Sequence, residues 1–332
     1  MDKIKRFIDI FVPTETCNLR CNYCYITQNR KFNGKLFNFK YTLEDVKKAF
    51  SIDRLGGNCL INFCAGGETL LSPCVVDIIK TLLECGHYVM VVTNGTIKCR
   101  FEEMAKFPED LKRKLFIKFS FHYLELKRLN LLETFFDNAK LMHKSHISIT
   151  IELAASDDNI PHKEEIKNIC LKEVKALPHV TILRDDRKQG LDLLSKYSMD
   201  ELSDIWKDFD SELFNFRKNI WGVYRKEFCY AGKWSFCVDI GSGEITKCFS
   251  EKIIGNIFED MDKPIEFECV GNNCKYPYCY AGHAFLALGV IPELDVESFD
   301  SLRDRDNAQW LYDDMKSFMH QKLKDNNKED NI

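Results

Sequence analysis

The stretch Glu15-Thr16-Cys17-Asn18-Leu19-Arg20-Cys21-Asn22-Tyr23-Cys24-Tyr25 places three cysteines within eight residues. Iron–sulfur clusters are usually held by four cysteines. Three thiolates can wrap one metal centre but do not saturate a cluster of four irons. One iron is left with an open position, and an open position is where catalytic chemistry takes place. The loop follows Phe7–Val12, a β-branched and aromatic run that reads as a strand.

The rest of the composition bounds the setting. The chain has 332 residues, 45% of them apolar, enough for a real core, and more than one typical domain. A net charge of −4 with interleaved signs is no electrostatic footprint for nucleic acid. The N-terminus carries no signal-peptide pattern, and the apolar runs are too short to span a bilayer. Fifteen cysteines, an odd number, in a chain without a secretory signal favour metal binding in a reducing cytoplasm over disulfides.

Strand-like and helix-like segments alternate over the first two-thirds. The strands read as Phe7–Val12, Cys59–Cys64, His87–Val92, Leu115–Phe121, Ile147–Leu153 and Val180–Leu183. The helices read as Thr42 to about Arg54 behind a capping box, Cys74–Cys85, Lys98–Phe107, Leu124–His143 and His162–Lys175. Six strands alternating with helices predict a parallel α/β sheet, with ligands at the carboxyl ends of the strands. Cys17–Cys24, Gly66-Gly67-Glu68, Thr93-Asn94-Gly95, Ser120 with His122, Glu152 and Arg184-Asp185-Asp186-Arg187 all fall at that rim. The Arg184–Arg187 run reads more readily as a solvated loop than as cavity lining. From Met199 the pattern changes. Met199–Ile220 reads as one amphipathic bridging helix. A cysteine-dense stretch from Cys229 to Cys279 follows, with a hairpin signal at Gly241-Ser242-Gly243, then a helix over Ser301–Lys324 and a charged, fraying tail.

The first cysteine loop, with aromatic Tyr23 before its third cysteine, resembles the Cys-x3-Cys-x2-Cys signature of the radical S-adenosylmethionine superfamily. The resemblance implies a 4Fe–4S cluster on Cys17, Cys21 and Cys24 whose open iron binds S-adenosylmethionine. Gly66-Gly67-Glu68 is similar to the family's Gly-Gly-Glu-Pro turn, with Thr69 in place of proline. Two glycines allow close approach of a ligand, and an acceptor there suits an ammonium group. Asn94 and Ser120 match positions near the nucleoside and the cofactor. His122 is a candidate catalytic residue on the same strand face as Ser120. The alternative for the loop is a zinc knuckle, but zinc prefers a fourth protein ligand and none lies nearby in the sequence.

Cys229, Gly243 and Cys248 resemble the opening of the auxiliary-cluster domains SPASM and its shortened form, twitch. The resemblance implies one auxiliary 4Fe–4S cluster on Cys229, Cys248, Cys274 and Cys279, with Cys269 in reserve. Cys237 is left over, either as a small buried hydrophobe or as a thiol that donates hydrogen to a substrate radical. Cys59, Cys64, Cys74, Cys85, Cys99 and Cys170 read as core.

The fold expected is therefore a partial (βα)6 TIM-like barrel of the radical S-adenosylmethionine type. A small cysteine-rich twitch/SPASM-like domain with a β-hairpin and a C-terminal helix follows it. The divisions are 1–198 core, 199–220 bridging helix, 221–295 auxiliary domain and 296–332 C-terminal helix and tail. The implied activity is reductive cleavage of S-adenosylmethionine to a 5′-deoxyadenosyl radical that takes hydrogen from a C–H bond, making the chain an oxidoreductase or epimerase. Sixteen residues before Cys17 are few for a peptide-leader-binding domain, which tilts the substrate toward a sugar, aminocyclitol or glycan. The alternatives are a ribosomal peptide maturase and a non-catalytic metal-binding sensor or scaffold. A flavodoxin or ferredoxin is the expected electron donor, and neither nucleic acid nor membrane is an expected partner.

Overall fold

Apolar runs alternating with helix starts make parallel strands joined by crossover helices. A computed structural model describes residues 2–188, 192–249, 252–272, 274–279 and 282–328; the end of the expected tail, beyond 328, lies outside the described residues. Strands β1 (Arg6–Val12), β2 (Cys59–Ala65), β3 (Tyr88–Thr93), β4 (Leu115–Phe121), β5 (Ser148–Ala154) and β6 (His179–Thr181) pair in parallel and in sequence order. This is the six-stranded partial barrel that the alternation predicts. Three more strands, β7 (Ser235–Asp239), β8 (Glu244–Thr246) and β9 (Ile253–Asn256), continue the same sheet past β1. The expected hairpin joins β7 to β8, and β7 itself lies parallel to β1. Gly243 turns that hairpin at φ 84°, where a side chain would run into Asn256.

Four helices expected to be continuous are interrupted. Leu124–His143 divides into Tyr123–Arg128 and Leu132–Lys144, because Asn130 takes a left-handed conformation (φ 56°). Met199–Ile220 divides into Met199–Trp206 and Glu212–Ile220, broken by left-handed Asp210 (φ 47°) and restarted by the Ser211 cap. Ser301–Lys324 holds only Asp313–His320 and Leu323–Asn326 as α-helix, with Gln309 left-handed (φ 49°). The helix from Thr42 also stops at Ala49 and restarts at Ile52 behind the Ser51 cap.

Side chains alternate across each strand. Ile8, Ile10, Ile61, Phe63, Val89, Val91, Ile117 and Phe119 face the helices in the larger core. Phe7, Leu60, Tyr88, Met90 and Phe116 face inward, into a second core with Trp234, Phe285 and Phe318 of the C-terminal third. Phe318 stacks on Tyr88 with ring centroids 3.6 Å apart, and Phe285 meets Phe7 edge-on. The amino-terminal end of the barrel is thus plugged by apolar side chains. One step further along the strands the inner face turns polar. Asp9 follows Phe7, Asn62 follows Leu60 and Lys118 follows Phe116, with Asp9 in register with both Asn62 and Cys237.

Candidate active site

Cys17, Cys21 and Cys24 come together after β1 at the mouth of a cleft enclosing about 730 Å³, part of it open to solvent. The same cleft is lined by Gly66, Gly67, Glu68, Asn94, Ser120 and His122. Four separate strand ends therefore deliver their expected residues to one place. Burial raises all three thiols, Cys17 to about 11 and Cys21 further, with Cys24 and Cys17 adding to the rise of Cys21 and Cys24 to that of Cys17. Three clustered thiols at this spacing are hard to ionise without a cation, and a coordinated metal supplies one. The donor set fits a three-cysteine cluster. Among the described residues no group of three or more His, Cys, Asp or Glu closes tightly enough for a single ion.

The glycine turn lines the cleft and also packs against the protein itself. A side chain on Gly67 would overlap the Thr16 carbonyl oxygen, and one on Gly66 would press on Thr14. The Glu68 N–H donates to Thr16 O (2.9 Å), and the Tyr25 hydroxyl donates to Gly66 O (2.6 Å). The two glycines let the turn lie directly against the cysteine loop. Glu68 is buried and faces inward to the protein. It accepts from Leu70 N–H (3.0 Å), the Thr93 hydroxyl (2.5 Å) and Asn94 N–H (2.7 Å). Three of a carboxylate's roughly four acceptor sites are thus taken by the chain itself. Glu68 ties the β2 turn to the β3 turn. Asn94 in turn donates to Asn18 Oδ1 (2.8 Å) and lies 3.7 Å from the Cys17 sulfur.

Tyr23 stands behind the loop, its hydroxyl 2.8 Å from His122 Nδ1. Burial, then the Lys118 charge, pushes His122 down to about 4, so the ring is neutral and Nδ1 can accept from the phenol. His122 braces the cysteine loop through Tyr23 while lining the cleft. Ser120 faces inward beside Glu152 of β5. The Arg184–Arg187 run splits. Asp185 pairs with exposed Arg187 at 2.7 Å, as a solvated loop would, while Arg184 turns in to Asp186 and toward Arg217.

The second cysteine group also converges. Cys229, Cys248, Cys274 and Cys279 line a cleft of about 510 Å³ with Phe249, Val270 and Phe285. Burial is the main cause that raises Cys279, and Cys248, Cys229 and Cys274 add to it. Cys269 does not line the cleft, although its charge reaches Cys229. Cys237 lines neither cleft but is close enough to Cys248 of the second group to feel its charge. It sits on the inner face of β7 beside Asp9, and burial, Asp9 and Cys248 together raise its thiol. Of the cysteines read as core, Cys59 and Cys170 are buried, but Cys64 lines the first cleft and Cys99 is exposed.

Sequence reasoning missed the polar layer inside the barrel. Asn62 Nδ2 donates to Asp9 (2.7 Å), Lys118 pairs with Glu152 (2.8 Å), and Arg303 reaches the same carboxylate from the C-terminal segment. The signal was a single charge within an apolar strand, Asp9 in Phe7–Val12 and Lys118 in Leu115–Phe121, since buried charge is kept only where it is paired or used.

No family model matches the chain. Over 91 residues, 27% of the chain, it is 33% identical to the 7-carboxy-7-deazaguanine synthase of Thermoplasma acidophilum. That match spans 39% of the relative's length, well under half. Among solved structures the chain resembles Streptococcus suis SuiB bound to S-adenosylmethionine, with a TM-score of 0.54, 15% identity, and coverage of 77% of this chain and 65% of SuiB. SuiB has also been solved bound to its precursor peptide SuiA. The chain resembles anSMEcpe with bound AdoMet as well, with a TM-score of 0.52, 16% identity, and coverage of 77% and 79%. At these identities the likeness is one of fold.

Proposed function

We propose that this chain, by its fold a radical S-adenosylmethionine enzyme, holds a 4Fe–4S cluster on Cys17, Cys21 and Cys24 and takes S-adenosylmethionine in the adjoining cleft. The single observation that carries the reading is that the three thiols share one cleft with the turns after β2 and β3 and with the end of β4. When bound, the pair supplies a 5′-deoxyadenosyl radical, with methionine as co-product, and that radical removes hydrogen from a C–H bond. The chain's own residues hold and shield. The Glu68 carboxylate fixes the two turns, Asn94 steadies Cys17, and the Tyr23–His122 pair backs the loop. The apolar plug of Phe7, Met90, Phe116 and Phe318 closes the barrel below, keeping water from a reactive carbon radical.

A second 4Fe–4S cluster, of the twitch type, belongs on Cys229, Cys248, Cys274 and Cys279. Four cysteines fill every iron corner, which suits electron transfer and not substrate binding. The outcome is then dehydrogenation or epimerisation. In an epimerisation the Cys237 thiol gives a hydrogen atom to the substrate radical. The resulting thiyl is restored by one electron and one proton, the electron from a flavodoxin or ferredoxin of the cytoplasm. The inner-face position of Cys237 beside Asp9 favours this role. Replacing Cys237 with alanine is expected to abolish transfer of solvent deuterium into the product; unchanged incorporation ends that role.

The substrate is a small molecule such as a sugar, aminocyclitol or glycan. A peptide is the second reading, supported by the shared fold with SuiB, which has been solved with its precursor peptide. The deciding experiment is anaerobic reconstitution followed by S-adenosylmethionine and dithionite. Release of 5′-deoxyadenosine is expected. Its absence from protein loaded with iron and sulfide would reduce the chain to a metal-binding sensor or scaffold.

A further inference from the structure

Between the two cysteine groups, four cations gather from four parts of the chain. Lys118 comes from β4, Arg184 from the segment after β6, Arg217 from the helix Glu212–Ile220, and Arg303 from the segment before Asp313–His320. Lys118 feels the charges of Arg303 and Arg217, and Arg217 feels that of Arg184. The neighbouring anions do not cover them all. Glu152 is shared by Lys118 and Arg303, and Asp186 takes Arg184 at 3.3 Å. Arg217 is half-buried, and among the described residues it makes no hydrogen bond and no ion pair. His283, close to Arg217 and Lys118, keeps a buried Nδ1 with no partner among the described residues.

This region is hollow, not packed. Lys118 is surrounded by protein and still has 16% of its side chain open. Phe11 faces inward near the carboxyl end of β1 and is 43% exposed, so the interior opens at the rim that carries the first cysteine loop. A half-buried guanidinium with no counter-charge of its own keeps its N–H donors free for an incoming anion. A planar fork of N–H donors is the group best matched to a carboxylate or a phosphate.

We propose that Arg217, with Lys118 and His283 beside it, seats an anionic group of the substrate, a carboxylate or a phosphate monoester, inside the barrel between the two cysteine groups. This deepens the function proposed above and rests on it. The anion would fix the substrate at its charged end and leave a C–H bond to face the cleft of Cys17, Cys21 and Cys24.

The test is calorimetric titration of the full, cluster-loaded chain with inorganic phosphate in one arm and succinate in the other, against sodium chloride at matched ionic strength. Binding of at least one anion to the wild type is expected. Arg217→Gln should weaken it tenfold or more, and Arg217→Lys less, because a point charge survives without the fork. Tighter phosphate assigns a phosphorylated substrate, and tighter succinate a carboxylate. If Arg217→Gln does not fold, the comparison passes to Arg217→Lys, which must still bind more weakly than the wild type. No binding of either anion to the wild type, or equal binding by every folded variant, overturns the proposal. Release of 5′-deoxyadenosine by the wild type is measured separately. Its failure would sink the radical reading and leave the anion result standing.

Discussion

Lys118 Nζ lies 2.8 Å from one oxygen of Glu152 inside the barrel, and Arg303 holds the other oxygen. Glu152 and Arg303 are both buried, so the carboxylate is the counter-charge for two enclosed cations. Glu152→Gln leaves both unpaired and is expected to cost about 3–5 kcal/mol. Lys118→Met leaves Glu152 with Arg303 and should cost less, about 1–2 kcal/mol. Urea unfolding of the two variants side by side checks the ranking. A larger loss in Lys118→Met would contradict the shared-carboxylate arrangement.

Gly67 tests how the cofactor turn meets the cysteine loop. A methyl group there has no room beside the Thr16 carbonyl, and backbone cannot step aside as a flexible side chain can. Gly67→Ala should therefore displace the loop and lower bound iron by about four per chain, one cluster's worth. Full iron and sulfide content in a folded Gly67→Ala protein would count against that packing.

Glu68 offers a subtler perturbation. Glu68→Gln keeps the size but turns one acceptor oxygen into an NH2 group facing the Asn94 N–H or the Thr93 hydroxyl. Losing such a buried bond costs about 1–3 kcal/mol. The expected result is weaker S-adenosylmethionine binding, by tenfold or more, with the cluster retained. Unchanged affinity by equilibrium binding would show that the two turns do not depend on this tie.

The second cysteine group gives a count. Cys279→Ala is expected to remove about four irons per chain and leave the first cluster in place, whereas Cys269→Ala should remove none. The reverse result would exchange the roles of the two residues.

Stability should also fall in acid. His87 accepts from the Cys59 N–H at Nδ1 (3.2 Å) and lies 2.6 Å from Phe50 O at Nε2, an arrangement that suits a neutral ring. Burial pushes it down to about 4. The folded value is below the unfolded one of about 6.5, so the unfolded chain binds more protons in between. The stability is fully present above pH 6.5 and is lost as pH falls toward 4, by roughly 3 kcal/mol for this group. His122 acts in the same direction. Asp9, raised to about 6 by burial, opposes them, because its folded form keeps a proton longer. Urea midpoints at pH 7.5, 5.5 and 4.5 should show a shallower decline for His87→Gln than for the wild type. Parallel declines would refute the assignment.

Much of this was readable from residues alone. Apolar β-branched runs bounded by turns located six strands, and the spacing of Cys17, Cys21 and Cys24 pointed to a centre with an open iron. The rim residues could be placed because a parallel sheet sends every strand end the same way. The helix breaks could not be read. Gln309 takes a left-handed conformation that local propensity disfavours by about 1–2 kcal/mol, and Asn130 and Asp210 tolerate theirs more readily but carry no local signal that they must adopt it.

The sequence by itself determined which residues meet at the strand ends, because chain order and strand direction are local properties. It could not say which face of a strand looks inward. In a parallel sheet both faces are buried, and the apolar pattern is nearly continuous on each. Tertiary structure alone decided that Asp9, Lys118 and Cys237 face the hollow interior. It also brought Arg217, 99 positions from Lys118 in the chain, within reach of that lysine's charge. Contacts of that separation follow from the packing of whole elements, which no local stretch encodes.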